Sequence, residues 1–294
     1  HQHLIETRGE EDGNHLFYRY RDAFPVAYRE EFDARNAVLD VQQLEALSAA
    51  QPLSVKLYRP FQRNAGRHHL KVFRFGEPVS LSESLPVLES FGVRVRDERP
   101  YRVTRADGAE LWINDFGLVA PDEQRLDDEA VRIRFQELLL KVTAGQAESD
   151  GFNRLALAAG LDWREVTLIR ALAKYLRQGG LTFSQQYIEH CVANYAAISS
   201  RLVALFHARL HPTQRDEAQA ALLLQEIREA LTQVANIDED KILNAFLTVI
   251  LAIRRTNFYQ RKEQQPKAYL SFKLESGKVD FLPLPRPLYE IWVY

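Results

Sequence analysis

Two stretches of the sequence switch to a period of two. In LSVKLYRPF (53–61) and HHLKVFRFG (68–76) apolar and polar residues alternate, as they do along a strand whose side chains point to opposite faces in turn. Val55 and Leu57 take one face of the first stretch; Leu70, Val72 and Arg74 form the equivalent set in the second, with Lys71, Phe73 and Phe75 opposite. The connector QRNAGR contains Gly66 and suits a hairpin. An isolated hairpin is marginal in water. These residues therefore demand further strands and a covering layer, and they restrict the fold more than any other segment.

The flanking sequence supplies both. Asp33 reads as the N-cap of ARNAVLDVQQLEAL, where Val38, Val41, Leu44 and Leu47 recur at helical spacing. After the hairpin comes SLSESLPVLESFG. Ser80 and Glu83 have the spacing of a capping box, and Gly92 closes the helix. Two more strands, VRVRDERPYRVT and AELWINDFGL, meet at a turn on Ala106, Asp107 and Gly108. Residues 34–118 thus read helix, strand, strand, helix, strand, strand. That order predicts an α+β module of ferredoxin-like or ACT type, with an antiparallel sheet and helices on one face. Upstream, residues 1–33 read as a helical lead-in of two short helices around Pro25.

From residue 121 to 262 the pattern is helical. Val131, Phe135, Leu138, Leu139 and Val142 form one stripe; Asp162 and Glu165 cap a helix that ends at Gly179-Gly180; Ile242, Phe246 and Ile250 belong to another stripe. Residues 263–294 then return to strands: AYLSFKL, a turn at Ser276-Gly277, and the terminal LYEIWVY behind Pro283, Pro285 and Pro287. This reads as the first, incomplete β edge of a further domain. The four segments are accordingly 1–33, 34–120, 121–262 and 263–294. The sequence contains no methionine, and we read it as an internal or processed piece.

Several chemistries are argued against by the residues. The 38 basic and 40 acidic side chains nearly cancel, so no global field draws in nucleic acid or an acidic membrane. Cys191 is the single cysteine, which excludes an internal disulfide framework and points to an intracellular, cytoplasmic protein. No apolar run approaches a membrane span. Neither a G-x-G-x-x-G nor a G-x-x-x-x-G-K-[ST] loop is present. His68 and His69 are neighbours on a strand and point apart, so they do not clasp one metal. His207 and His211 share a helix face at a spacing that suits zinc but lack a third ligand nearby, and His211 reads as a capping or surface residue. Cys191, beside His190, reads as a buried thiol. The sequence offers no catalytic, cofactor or metal residues. The basic and aromatic residues of the hairpin, Arg67, Lys71 and Arg74 among them, leave open an independent nucleic-acid- or protein-binding module. FNRLALAAGLDWREVTLIRALAKYLRQGG outlines a helix-turn-helix whose second helix begins with acids, against DNA reading.

Several blocks, in order along the whole chain, carry a resemblance: LSVKLYRPF, VLESFGVRVRDERPYRV, IRALAKYLRQGGLTFSQQYIEHCV, RRTNFYQ and AYLSFKL…LPLPRPLYEIWVY. Together they resemble the large multidomain bacterial NAD-specific glutamate dehydrogenases. The resemblance implies a regulatory and oligomerisation segment immediately upstream of the catalytic core. It implies a homo-oligomeric parent that deaminates L-glutamate with NAD, and a piece inactive by itself because the catalytic lysine and the Rossmann domain lie downstream. Lys273 matches no motif that would make it that lysine. An ACT-like module further implies a small amino-acid effector. The loop Gly76–Ser80 opens onto a helix N-terminus that could receive a carboxylate, which makes Gly76 and Ser80 the candidate effector residues.

Overall fold

The computed structural model describes residues 1–60 and 68–294. The connector of the hairpin, and Arg67 with it, lies outside the described residues. The chain divides into two compact units, His1–Glu148 and Ser149–Tyr294.

The first unit opens with α1 (Gln2–Arg8), α2 (Glu10–Tyr20), α3 (Val26–Glu31) and α4 (Ala34–Glu45). Three short helices thus precede Asp33 where the aromatic clusters suggest two. Asp33 accepts a hydrogen bond from the Asn36 amide and starts α4 as its N-cap. Strands β1 (Leu53–Tyr58) and β2 (His68–Phe75), helix α5 (Leu81–Ser90), strands β3 (Arg94–Thr104) and β4 (Glu110–Val119), and helix α6 (Glu129–Thr143) complete the unit.

The sheet order is β1-β2-β4-β3, antiparallel throughout. Val55 pairs with Val72 and Leu57 with Leu70, the register set by the alternating pattern. β2 and β3 run parallel on either side of β4, joined through α5, so β2-α5-β3 is a split crossover. The second crossover helix is α6, which follows β4 and packs on β1. Gln136 of α6 accepts the Leu57 amide of that edge strand at 2.6 Å. In a ferredoxin-like module the strand covered by this helix comes after it; here the strand comes first.

The expectation of helices on one face is corrected. Every residue from His68 to Phe73 is buried, so β2 is covered on both sides. Leu70, Val72 and Phe116 face the α5–α6 layer. Phe73, Tyr101, Val103, Leu111 and Ile113 form one core with Val38, Val41, Leu44 and Leu47 of α4 and with Tyr20 and Tyr28 ahead of it. The N-terminal helices are thus the second layer of this sandwich. Burying a leucine such as Leu44, with 0% exposure, contributes roughly 1.5–3 kcal/mol.

The second unit is mainly helical: α7 (Leu155–Ala158), α8 (Trp163–Gln178), α9 (Gln185–Asn194), α10 (Ala196–Leu210), α11 (Glu217–Leu231) and α12 (Ile237–Ala252). At α8 the capping box forms in both directions: Asp162 accepts the Arg164 and Glu165 amides, and Glu165 accepts the Asp162 amide. Strands β5 (Ile253–Thr256), β6 (Arg261–Lys262), β7 (Gln265–Pro266), β8 (Ser271–Leu274) and β9 (Glu290–Val293) follow. The three-stranded sheet runs β5-β8-β9, with Phe272 opposite Trp292. Pairing of AYLSFKL with the terminal strand is therefore present. The third strand, IRRT, adjoins α12 directly, where the helical pattern carries on to about Tyr259. Its β-branched Ile253 and Thr256 take the extended form once β8 offers a ladder. Among the described residues no helix is long and apolar enough to cross a membrane.

Candidate functional site

Between the sheet and the α5–α6 layer of the first unit lies a cavity of about 870 Å³. Alternation builds its floor: Leu53 and Val55 of β1, Leu70, Val72 and Arg74 of β2 and Phe116 of β4 all project to this side. Val87 and Leu88 of α5 and Leu139, Leu140 and Val142 of α6 form the roof. The lining is predominantly apolar. Its charged groups are Glu83 and Glu137, which are exposed, and Arg74 and Lys141, which are half-buried, Lys141 donating to the Gln146 side chain. The Arg74 guanidinium has no hydrogen-bond or carboxylate partner among the described residues. A volume and lining of this kind are typical of sites for small organic molecules.

Gly76 and Ser80 stand beside this cavity without lining it; Val79, Glu83 and Ser84 do line it. Gly76 has φ +87°, a left-handed conformation that suits glycine. It is tied to β4 through its amide to the Glu110 carbonyl and its carbonyl to the Trp112 indole. Ser80 does occupy the N-cap of α5, but the capping box expected there is not formed. The Ser80 hydroxyl lies 2.7 Å from the Ser82 hydroxyl instead, and no side chain caps the helix. A neighbouring hydroxyl has competed successfully with the backbone amide. Gly92, with φ +80°, terminates the helix as its position suggests.

On the opposite face of β2 the sheet carries a buried ionic cluster that no local pattern announces. The Lys71 ammonium, 3% exposed, is 2.5 Å from Asp40 of α4, which also accepts the Tyr28 hydroxyl at 2.5 Å. The same ammonium sits 3.6 Å from the centre of the Phe32 ring, a cation–π contact. Next along the strand, His69 lies 3.0 Å from Asp115, which accepts the Tyr58 hydroxyl. Burial pushes the Asp40 carboxyl above its usual range, against the pull of Lys71 and Tyr28. His68 points the other way, to Asp127 at 3.2 Å, and burial pushes its pKa down. The two histidines therefore diverge, as neighbours on a strand must. With Lys71 and Phe73 enclosed and α4 packed over them, the described residues on this face of the hairpin offer no exposed aromatic platform for nucleic acid.

In the second unit the histidine spacing has a different outcome from metal binding. His207 lies 3.0 Å from Glu165 through one ring nitrogen and 2.8 Å from the Tyr259 hydroxyl through the other. The His211 ring nitrogen accepts the Thr213 and Gln214 amides and caps the turn after α10. No group of three histidine, cysteine or acidic residues able to hold a metal occurs among the described residues. Cys191 is buried beside the Glu239 carbonyl, and burial pushes its thiol up to about 12; a thiol that stays protonated is a poor nucleophile. Arg164, at the start of the second helix of the helix-turn-helix pattern, is buried and donates to the Lys267 carbonyl, so it is not available to a DNA groove. Lys273 of β8 stacks on the Tyr289 ring at 4.3 Å.

Against this geometry the comparisons with known proteins fall into order along the chain. Models of glutamate dehydrogenase segments match residues 3–47 (helical motif 2), 52–131 (ACT3 domain) and 147–212 (helical motif 3). The catalytic domain of bacterial NAD-glutamate dehydrogenase matches residues 226–294. These are the parts of one class of enzyme chain, and the sheet, α5 and the floor of the cavity fall under the ACT3 match. More particularly, the chain groups with the bacterial NAD-specific glutamate dehydrogenases. It is 41% identical over 291 residues to that of Halomonas elongata, 37% over 297 to that of Pseudomonas aeruginosa and 36% over 301 to that of Mycobacterium tuberculosis. At least 97% of the chain is covered in each case, but it spans only 18% of the length of each of these relatives.

Their name brings in NAD, and the β2–α5 turn, the one strand-to-helix turn of the described sheet that resembles a dinucleotide-binding turn, does not fit it. The β2–α5 turn runs from a strand into a helix N-terminus, the geometry a dinucleotide would need. It has one glycine, Gly76, where a dinucleotide-binding turn uses three for its tight bend, its close approach to the pyrophosphate and its helix packing.

Proposed function

We propose that this chain is the regulatory and oligomerisation segment of an NAD-dependent glutamate dehydrogenase. The parent reaction is the conversion of L-glutamate, NAD and water to 2-oxoglutarate, ammonia and NADH, carried out in the cytoplasm by a homo-oligomer. In this reading the lead-in, ACT-like, helical and first catalytic strands occupy 1–33, 34–120, 121–262 and 263–294. The ordered series of four glutamate dehydrogenase matches carries the reading. The alternative of an independent nucleic-acid module is disfavoured by the burial of Lys71.

The regulatory part assigns a small amino-acid effector to the loop Gly76–Ser80, its carboxylate received by the N-terminal end of α5, where Ser80 makes no side-chain cap. Steady-state NADH formation by the full-length parent enzyme, titrated with each amino acid, tests this. At least one should change the rate, and Ser80→Glu should suppress the response by placing a negative charge where the carboxylate binds. If no amino acid alters the rate, the regulatory role is refuted. For the chain by itself the expected result is no glutamate-dependent NADH formation; measurable turnover would overturn the assignment.

A further inference from the structure

We propose that the cavity between α5, α6 and the sheet binds a medium-chain aliphatic carboxylate, its head on Arg74 and its tail along the apolar floor. This site is the cavity itself, distinct from the Gly76–Ser80 loop, and the inference does not depend on the amino-acid reading of that loop.

Volume is the first argument. A space of about 870 Å³ is at the upper end of small-molecule sites, which run to roughly 1,000 Å³. A small zwitterion would leave most of that apolar wall uncovered. The second argument is the polarity gradient. At the inner end Leu70 and Phe116 are fully buried and Leu88 is nearly so. Arg74 stands four residues further along the same strand and the same face, about 13 Å away at the usual strand rise. That is an extended aliphatic chain's length, apolar at one end and cationic at the other.

The third argument is charge. The Arg74 guanidinium is half-buried and has no partner among the described residues, the other cation of the lining, Lys141, donates to the Gln146 side chain at 2.9 Å, and the two acids, Glu83 and Glu137, are exposed to water. A half-buried guanidinium beside apolar surface favours an anion that also brings apolar area, and it disfavours an alkylamine. Helix α5 starts one short loop after Arg74's strand, so its N-terminal end is at the same end of the sheet. Its partial positive charge adds to the attraction.

Calorimetric titration of the purified chain with decanoate below its micelle concentration tests the inference, with decylamine and leucine as controls. Decanoate should bind saturably, one per chain. Decylamine and leucine should bind at least about tenfold more weakly. Arg74→Gln should cost about tenfold or more in affinity, the usual consequence of losing a charge-assisted hydrogen bond. Val87→Trp should abolish binding by filling the roof; Leu140→Trp serves the same purpose should that variant not fold. Decanoate binding no tighter than decylamine, or unchanged in Arg74→Gln, would overturn the proposal, as would saturable binding of leucine alone.

Discussion

Lys71→Met is the sharpest perturbation of the α+β unit. Methionine keeps most of the length and apolar volume of the lysine stem, so the change removes charge rather than packing. Asp40 is then left buried, 5% exposed, with only the Tyr28 hydroxyl at 2.5 Å to stabilise it. Removing one member of a buried ion pair costs about 3–5 kcal/mol. Replacing both members, as Asp40→Asn with Lys71→Met, should recover most of that loss, because the cost comes from the stranded charge.

The cost also has a pH signature. The unfolded carboxyl titrates near 3.8, and burial raises the folded one above it; without Lys71 it rises further. A group raised in the folded state penalises folding where it must be ionised, and the penalty is relieved as pH falls through the folded pKa. The destabilisation of Lys71→Met should therefore be greatest well above the raised folded pKa and should shrink as the pH falls through it. Urea titration read by hydrogen exchange of peptides from 68–75 isolates this unit from the other. A single-mutant cost below about 1 kcal/mol, or a double mutant as unstable as the single, would refute the reasoning.

Other consequences are simpler to read. Cys191, with its thiol pushed up to about 12, should resist iodoacetamide in the folded chain at about pH 8 and react on unfolding, as seen by intact mass. Asp162→Ala should cost about 1–2 kcal/mol by removing a formed capping box, whereas Ser80→Ala should fall within about 0.5 kcal/mol; thermal melts of the two variants separate these. Gly13→Ala should destabilise the N-terminal helices by about 1–3 kcal/mol, since a Cβ there would meet the Ile5 backbone at 2.7 Å and backbone does not yield; faster hydrogen exchange across α1 and α2 would report it.

Much of this architecture is legible in local pattern. The stripe Val38, Val41, Leu44 and Leu47 is buried as a set, and the hairpin pairs in the register that alternation demands. What escaped is what depends on partners distant in sequence. A lysine within an alternating strand reads as solvated, and only the arrival of Asp40, 31 residues earlier in the chain, makes its burial tolerable. The stripe of α6 announces a helix with an apolar face but not that it roofs β1. His207 and His211 present a metal spacing, yet Glu165 and Tyr259, on other elements, occupy the first ring. Ser80 and Glu83 have the letters of a capping box, which Ser82 undoes. A cavity leaves no periodic trace at all, because it is defined by where side chains of five elements fail to meet.

The reversed order of β1 and its covering helix bears on how the unit is made. On the ribosome the β1–β2 part of the cavity floor emerges long before the α6 part of its roof: β1 ends at Tyr58, and α6 starts at Glu129. At roughly 5–20 residues per second, several seconds pass in which Val55, Leu57, Leu70 and Val72 have no helix to lie against on the β1 side. For that interval the nascent hairpin shows apolar residues and an unpaired edge, a natural substrate for a chaperone.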